Sequence, residues 1–257
     1  MAVGQMVRMT THILVRLPFY LVPRGTVVPI LWGPLRGMRW INGSSILSCW
    51  LGVYEWAKQA CFAGHVAPGA VVFDIGANVG FYTLLASKLV GPAGKVVAFE
   101  PVPSNVAYLR RHLALNAVDN VEVVEAAVSD LEGEVAFQEG ASNSVGRIAE
   151  GGNLTIPSVT IDALIESGRL PPPTVIKMDV EGAEYRALMG AKRSLIQHRP
   201  ILFLATHNPE VHAQCCELMR SCGYEMQPID GRPLASSQEI LETPARLDEL
   251  ARQGPEP

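Results

Sequence analysis

Acids and glycines recur where apolar runs give way to turns, and the first cluster is Asp74-Ile75-Gly76-Ala77-Asn78-Val79-Gly80. It follows the apolar run Ala70-Val71-Val72-Phe73 and precedes a stretch with helical spacing. Gly76 permits a sharp turn and a close approach, Gly80 lets a helix pack near a strand, and the helix start presents unbonded amides to a carboxylate. A dinucleotide pyrophosphate needs GxGxxG at such a turn, and that spacing is absent. An acid two places before the first glycine repels a diphosphate and accepts hydrogen bonds from an ammonium. The turn therefore suits the amino acid end of a ligand.

Glu100 closes the next apolar run, Lys95 to Phe99, 26 residues after Asp74. In open parallel sheets an acid at that point hydrogen-bonds the hydroxyls of a ribose. Alone it would read as an exposed strand-end carboxylate, and the turn before it as a strand-to-helix connection with no ligand. Together they describe a ligand with an amino acid at one end and a ribose at the other, which is S-adenosylmethionine (SAM).

The third cluster is Lys177-Met178-Asp179-Val180-Glu181-Gly182-Ala183-Glu184. Its carboxylates fall at the end of another apolar run, on the edge where ligands of such sheets bind. Asp179 is a candidate general base with Glu181 as alternative, and either could instead cap the helix that follows. Glu184 reads as a cap or surface acid. His207 comes just after the apolar run Ile201 to Ala205, and its ordinary pKa lies near neutrality, so it is a third candidate for taking a proton from a hydroxyl. No metal is required by the sequence, although the clustered acids leave magnesium assistance open.

These residues must be held by alternating strands and helices, the pattern of a mostly parallel sheet covered on both faces. Strands are expected at Ala70–Asp74, Lys95–Glu100, Val121–Glu125, Val175–Asp179 and Ile201–Ala205. A closing antiparallel hairpin from Gly223-Tyr224 to Glu239-Ile240-Leu241 brings the sheet to seven strands. Val135-Ala136-Phe137 and Val159-Thr160-Ile161 read as short edge strands. Helices are expected over Gly80–Lys88, from Ser104 as N-cap with Val106, Leu109 and Leu113 inward, and as one piece from Gly182 to Gln197 with Leu188, Ala191 and Leu195 inward. Before the sheet, residues 1 to about 25 read as helical. Arg36 to Trp40 with Asn42-Gly43 reads as a small hairpin, and Tyr54 to Ala63 as a short helix. The expected division is an N-terminal helical and hairpin extension over 1–68, on the lid or substrate side, and an α/β domain over 69–257.

Composition sets outer limits. The 257 residues are 48% hydrophobic and 18% charged, enough apolar matter for one large core. A net charge of -4 without long like-charge runs argues against nucleic acid as partner. Five cysteines without a CxxC pair fit reduced thiols and a cytoplasmic protein. The apolar run Ile13–Trp32 is broken by Arg16, Arg24, Pro18, Pro23 and Pro29, so no transmembrane span is expected, and peripheral membrane contact stays open.

With these motifs in place, the chain resembles the FkbM family of SAM-dependent methyltransferases, a class I, Rossmann-like group. The resemblance runs from Gly33-Pro34-Leu35-Arg36-Gly37 through Leu51-Gly52-Val53-Tyr54-Glu55, Val72 to Thr83, Phe99-Glu100-Pro101 and Ala127-Val128-Ser129-Asp130 to Lys177 to Glu184. It implies O-methyl transfer to a hydroxyl of a small molecule, such as a secondary metabolite or sugar, or of a glycan. It also implies that Asn78, Phe81 and Thr83 help hold the amino acid end of SAM, and that Tyr54 and Glu55 close over the cofactor. Val128, Ser129 and Asp130 would border the adenine, and Pro101 would follow the ribose acid. Where the family often ends its fifth strand in glutamate, this chain reads Ala205-Thr206-His207, which makes His207 its own candidate. Two other classes stay open: a SAM-binding protein without transferase activity, and a nicotinamide oxidoreductase. The acceptor and the oligomeric state are not written in these motifs.

Overall fold

The computed structural model describes residues 19, 21–139, 146–148 and 154–245. It divides into two compact units, 1–53 and 54–257. The helix expected over residues 1 to about 25 lies almost wholly outside the described residues. No helix among the described residues is long and apolar enough to cross a membrane.

In the first unit, β1 (Val27–Pro29) pairs antiparallel with β2 (Arg39–Ile41), and α1 (Leu47–Leu51) follows. The expected hairpin exists, but its turn runs through Gly33 and Gly37, both at positive φ, and Asn42-Gly43 lies after it. Asn42 serves a different end: its side-chain amide donates to the carbonyls of Val22 and Pro23 at 2.8 and 3.2 Å.

The second unit opens with α2 (Trp56–His65), so the division falls ahead of this helix. The main sheet follows, with β3 (Val71–Ile75), β4 (Lys95–Phe99), β5 (Val121–Val124), β10 (Val175–Met178), β11 (Ile201–Ala205), β12 (Tyr224–Pro228) and β13 (Glu239–Pro244). The order is β12-β13-β11-β10-β3-β4-β5. The pairs from β5 across to β11 are parallel, whereas β13 runs antiparallel to both β11 and β12. This is the expected seven-stranded, Rossmann-like sheet with a closing antiparallel hairpin.

The strands of the parallel half read Val-Val-Phe, Val-Val-Ala-Phe and Ile-Leu-Phe-Leu because both faces are covered. Phe73, Ile75, Ile176, Met178, Leu202 and Leu204 are at most 1% exposed and share one core. Helix α3 (Phe81–Val90) links β3 to β4, and α4 (Pro103–Leu115) links β4 to β5. Helix α4 begins two residues earlier than expected, with Val102 as N-cap and Pro103 in its first turn. Ser104 is therefore not the cap, because proline already fits the first helical position.

Four short strands depart from the edge-strand expectation. β6 (Ala127–Val128), β7 (Gly133–Glu139), β8 (Gly146–Ile148) and β9 (Leu154–Val159) form a separate sheet, ordered β6-β9-β7-β8. Thr160 is not in a strand: its hydroxyl accepts from the Ala163 amide at 3.2 Å and caps α5 (Ile161–Glu166).

The single helix expected from Gly182 to Gln197 is two, α6 (Glu184–Met189) and α7 (Lys192–His198). Two contacts cause the break. A Cβ on Gly190 would stand 1.9 Å from the Ser129 carbonyl oxygen, so the chain there lies against β6's end. Asp162 then caps α7 from a distance, accepting from the amides of Arg193 and Ser194 at 3.0 and 2.8 Å and from the Ser194 hydroxyl at 2.6 Å. Leu188, Ala191 and Leu195 are nonetheless buried as expected. One helix, α8 (Pro209–Ser221), has no counterpart in the sequence reading. Asn208 caps it, accepting from Glu210 N at 2.8 Å, and Pro209 opens its first turn. Its buried face is built largely from Cys215, Cys216, Leu218 and Met219. All five cysteines are free thiols.

Candidate functional site

The carboxyl ends of β3, β4, β10 and β11 gather the predicted residues. Asp74 is opposite Ala98 in register, and Glu100 comes one residue past the Ile75–Phe99 pair. Asp74 and Glu100 therefore share one edge of adjacent strands. The loop between β3 and α3 is fixed on β4: the amides of Gly76 and Ala77 both donate to the Phe99 carbonyl at 3.0 Å, and Asn78 N donates to Glu100 Oε2 at 2.8 Å.

Gly76 has φ of +77°, and a Cβ there would stand 1.9 Å from the Asp179 carbonyl oxygen. The close approach expected of this glycine is thus made to β10's end, inside the protein. Gly80, at φ +95°, packs against Leu109 of α4 and is the N-cap of α3, with no side chain on the first-turn amides. That uncapped start lies beside Asp74 and is the donor set a carboxylate requires.

Asp74 is 1% exposed, and its oxygens face protein groups. Thr83 Oγ1 donates to Oδ2 at 2.6 Å, and Lys177 Nζ lies 3.3 Å from Oδ1 while donating to the Gly76 carbonyl at 3.0 Å. Thr83 is fully buried and orients Asp74. Glu100, 4% exposed, accepts from Asn78 N on Oε2, and from Val102 N at 3.0 Å and Asn105 Nδ2 at 3.2 Å on Oε1. Burial pushes its carboxyl up, against the pull of those three donors and Lys177. A carboxylate has about four lone-pair positions. Three are taken, so this arrangement has room for one further hydroxyl on Oε2, fewer than the two that a full ribose grip uses.

Tyr54 and Glu55 precede α2. The Tyr54 ring meets Phe81 edge-on at 5.5 Å, and its carbonyl accepts from Gln59 Nε2. Glu55, at φ +46°, pairs with Lys58 at 3.2 Å. Lys58 is 2% exposed and also meets Glu239 of β13 at 2.7 Å, with its ammonium 5.5 Å from the centre of the Tyr82 ring. Lys177 lies at the same distance from that ring. Burial lowers the Lys58 pKa, but Asp179, Glu239 and Glu55 outweigh it and raise the ammonium above its usual range. Lys58, Tyr82 and Glu239 were not singled out from sequence. The available signal was a lysine three residues after Glu55, which reads as an ordinary surface pair.

Val128 and Ser129 are 2% and 0% exposed. Their side chains face the core, and Ser129 Oγ donates to Asp130 Oδ1 at 2.9 Å. Asp130 in turn pairs with Arg186 Nε at 2.8 Å, and Pro101 is half-buried.

The last cluster joins β10 to β11. Glu184 is fully buried, and its Oε1 accepts from Gly182 N at 2.9 Å and lies 2.8 Å from His207 Nδ1. It is not a surface acid. His207 Nε2 stands 3.4 Å from Asp179 Oδ1 and 3.6 Å from Glu181 Oε2. The hydrogen bond that His207 Nδ1–H donates to Glu184 raises the imidazole to about 9, against burial and with help from Asp179 and Glu181. A raised pKa makes the ring a stronger base and favours its protonated form. Burial pushes Asp179 up, but Lys177, Lys58 and His207 prevail and hold it below its usual value. Glu181, at φ +54°, is raised by burial, Asp179 and Glu184, with His207 opposing.

Residues 74–226 match the family described as the methyltransferase FkbM domain. The chain is 32% identical over 127 residues to the hexuronic acid methyltransferase AglP of Haloferax volcanii, covering 49% of this chain and 51% of that protein. It is 42% identical over 74 residues to the 31-O-demethyl-FK506 methyltransferase FkbM of Streptomyces tacrolimicus, covering 26% and 28% of the two chains. The matches thus span about half of these curated relatives or less. A solved FkbM methyltransferase from Methylobacillus flagellatus aligns over 79% of this chain and 56% of its own, with 18% identity and a TM-score of 0.47. The family match extends over more than half of the sequence, from the acid of the first turn to the closing hairpin: the chain belongs to the FkbM methyltransferase family.

Proposed function

We propose that this protein transfers a methyl group from SAM to a hydroxyl of a small molecule or glycan, with a hexuronic acid or another sugar as the acceptor class suggested by AglP. What supports the reading is one adjacency. The loop that would take the cofactor's amino acid end is bonded to Glu100 on one side and lies against Asp179 on the other. Bound SAM supplies a methyl on a sulfonium sulfur, which an acceptor oxygen takes while the carbon–sulfur electron pair stays on sulfur. The start of α3 would receive the cofactor carboxylate, Glu100 a ribose hydroxyl, and the backbone of Val128 to Asp130 the adenine edge. Tyr54, Phe81 and Glu55 would wall the methionine portion.

Of the candidate bases, Glu181 suits the proton best. Its carboxyl is raised while Asp179 is held lower, and of two carboxylates the one with the higher pKa is the stronger base. Asp179 would orient the acceptor. The rest of the rate comes from alignment in a water-poor pocket. The test is incubation with methyl-labelled SAM and hydroxylated sugars, uronic acids included, followed by mass spectrometry. A methyl on an acceptor oxygen is expected; calorimetric SAM binding with no methylated product from any acceptor would leave a binding protein instead.

A further inference from the structure

Three donor atoms converge beyond β10 and β11. His207 Nε2, Asp179 Oδ1 and Glu181 Oε2 stand 3.4 and 3.6 Å apart across the histidine, and ligand atoms of the three residues lie within 4.8 Å of one another. On a first-row cation with bonds of about 2.1 Å, two ligands at angles of about 90° to 110° are about 3.0 to 3.4 Å apart. The two separations across His207 come within a few tenths of an ångström of that spacing, and the two carboxylates would close on the ion from within 4.8 Å.

A second observation comes from behind the histidine. Glu184 is 0% exposed, its Oε1 holds His207 Nδ1, and its Oε2 has no hydrogen-bond partner among the described residues. Capping one amide, Gly182 N, does not explain a buried carboxylate with an unpaired oxygen, since burying such a group is costly. A carboxylate placed behind an imidazole is, however, the arrangement that fixes a metal-bound histidine with its other nitrogen outward.

We propose that Asp179, Glu181 and His207 form a binding site for one divalent first-row cation, with Glu184 as its outer carboxylate. Two carboxylates favour a hard ion and the imidazole favours one that accepts nitrogen, which selects Mn²⁺ ahead of Mg²⁺. Three protein donors leave positions for an acceptor hydroxyl and a neighbouring oxygen. The acceptor class is then a vicinal diol or hydroxy acid. That last step rests on the methyl-transfer reading, whereas cation binding does not.

The test is titration of the full, SAM-free chain with Mn²⁺, following loss of the free-ion electron paramagnetic resonance signal. Uptake of one ion per chain is expected, displaced by excess Mg²⁺. Glu181→Gln and His207→Gln, each at side chains 35% exposed and so compatible with folding, should abolish uptake. Glu184→Gln should weaken it by about 10- to 100-fold. No uptake by the natural chain, or uptake unchanged in both ligand variants, overturns the site. SAM binding measured by calorimetry on the same protein separates the two ideas: Mn²⁺ uptake without SAM binding removes the transferase reading alone, and SAM binding without Mn²⁺ uptake removes the cation alone.

Discussion

The backbone amide of Asn78 donates to Glu100 Oε2 at 2.8 Å, which joins the loop after β3 to the end of β4. Asn78 adopts φ of +51°, a conformation that asparagine tolerates better than most residues, and the bond it makes there uses one position of a carboxylate that already serves Val102 and Asn105. Glu100 therefore organises the loop as well as being the acid proposed to meet the ribose.

From this follows a prediction for Glu100→Gln. The variant keeps the shape but replaces a charged acceptor by a neutral one and puts an NH₂ where an acceptor stood. Hydrogen bonds to charged groups contribute about 1.5 to 3 kcal/mol, so SAM affinity should fall by roughly 10- to 100-fold. Calorimetry on the variant and the natural chain measures this. Equal affinities would show that Glu100 serves the loop only.

Gly76 and Gly182 offer a paired comparison, because both have positive φ but different surroundings. A Cβ at Gly76 meets the Asp179 carbonyl at 1.9 Å, and one at Gly182 meets nothing within 4 Å. Gly182→Ala should therefore cost only conformational strain, about 1 kcal/mol. Gly76→Ala adds a backbone collision and should cost about 3 kcal/mol or more. Denaturant unfolding of both variants checks the ordering, and similar losses would mean that β10's end yields easily.

The sheet was legible in the sequence because its strands are buried on both faces, and continuous apolar runs ending in Asp74, Glu100 and Asp179 announce both the strand and the edge on which ligands of such sheets bind. What was not legible depended on contacts between distant segments. The α6–α7 break is set by Ser129 and Asp162, and neither shows in the local pattern from Gly182 to Gln197. Helix α8 has a readable Asn-Pro start, but its cysteine-rich face carries a weak apolar signal. In the site, residue types were legible and partners were not. His207 was readable as a titrating group, and Glu184, buried and hydrogen-bonded to it, was readable only as a cap or surface acid. Lys58 looked like half of a surface pair, and only the fold brings Glu239 to it.

His112 ties α4 to the loop between β3 and α3. It is fully buried, and its Nδ1–H donates to the Val79 carbonyl at 2.7 Å, between Asn78 and Gly80. Burial lowers its pKa from 6.5 to about 4, opposed by that bond and aided by Arg111. The folded state keeps the ring neutral while the unfolded chain takes up a proton below pH 6.5. Stability from this group is complete above that pH and is lost as the pH falls toward about 4, by about 3 kcal/mol in all. Chemical denaturation across this window should show the slope, and His112→Asn should flatten it while lowering stability at neutral pH. An unchanged slope in the variant would place the acid sensitivity elsewhere.

Glu242 presents the opposite case. It lies in β13, opposite Leu202 on one side and Met226 on the other, is 0% exposed, and neither carboxylate oxygen has a hydrogen-bond partner among the described residues. Burial drives its carboxyl well above the usual value, which favours the neutral form in the folded protein. The unfolded chain ionises near pH 4.5, and every step of pH above that value favours unfolding until the folded-state pKa is passed. Glu242→Gln removes the titration while retaining the shape. At pH 4 the variant should match the natural chain, and at pH 8 it should be the more stable of the two, with a higher unfolding midpoint. A lower midpoint at pH 8 would mean that the ionised carboxylate has a stabilising role in the folded protein, and that β13 carries a charge by design.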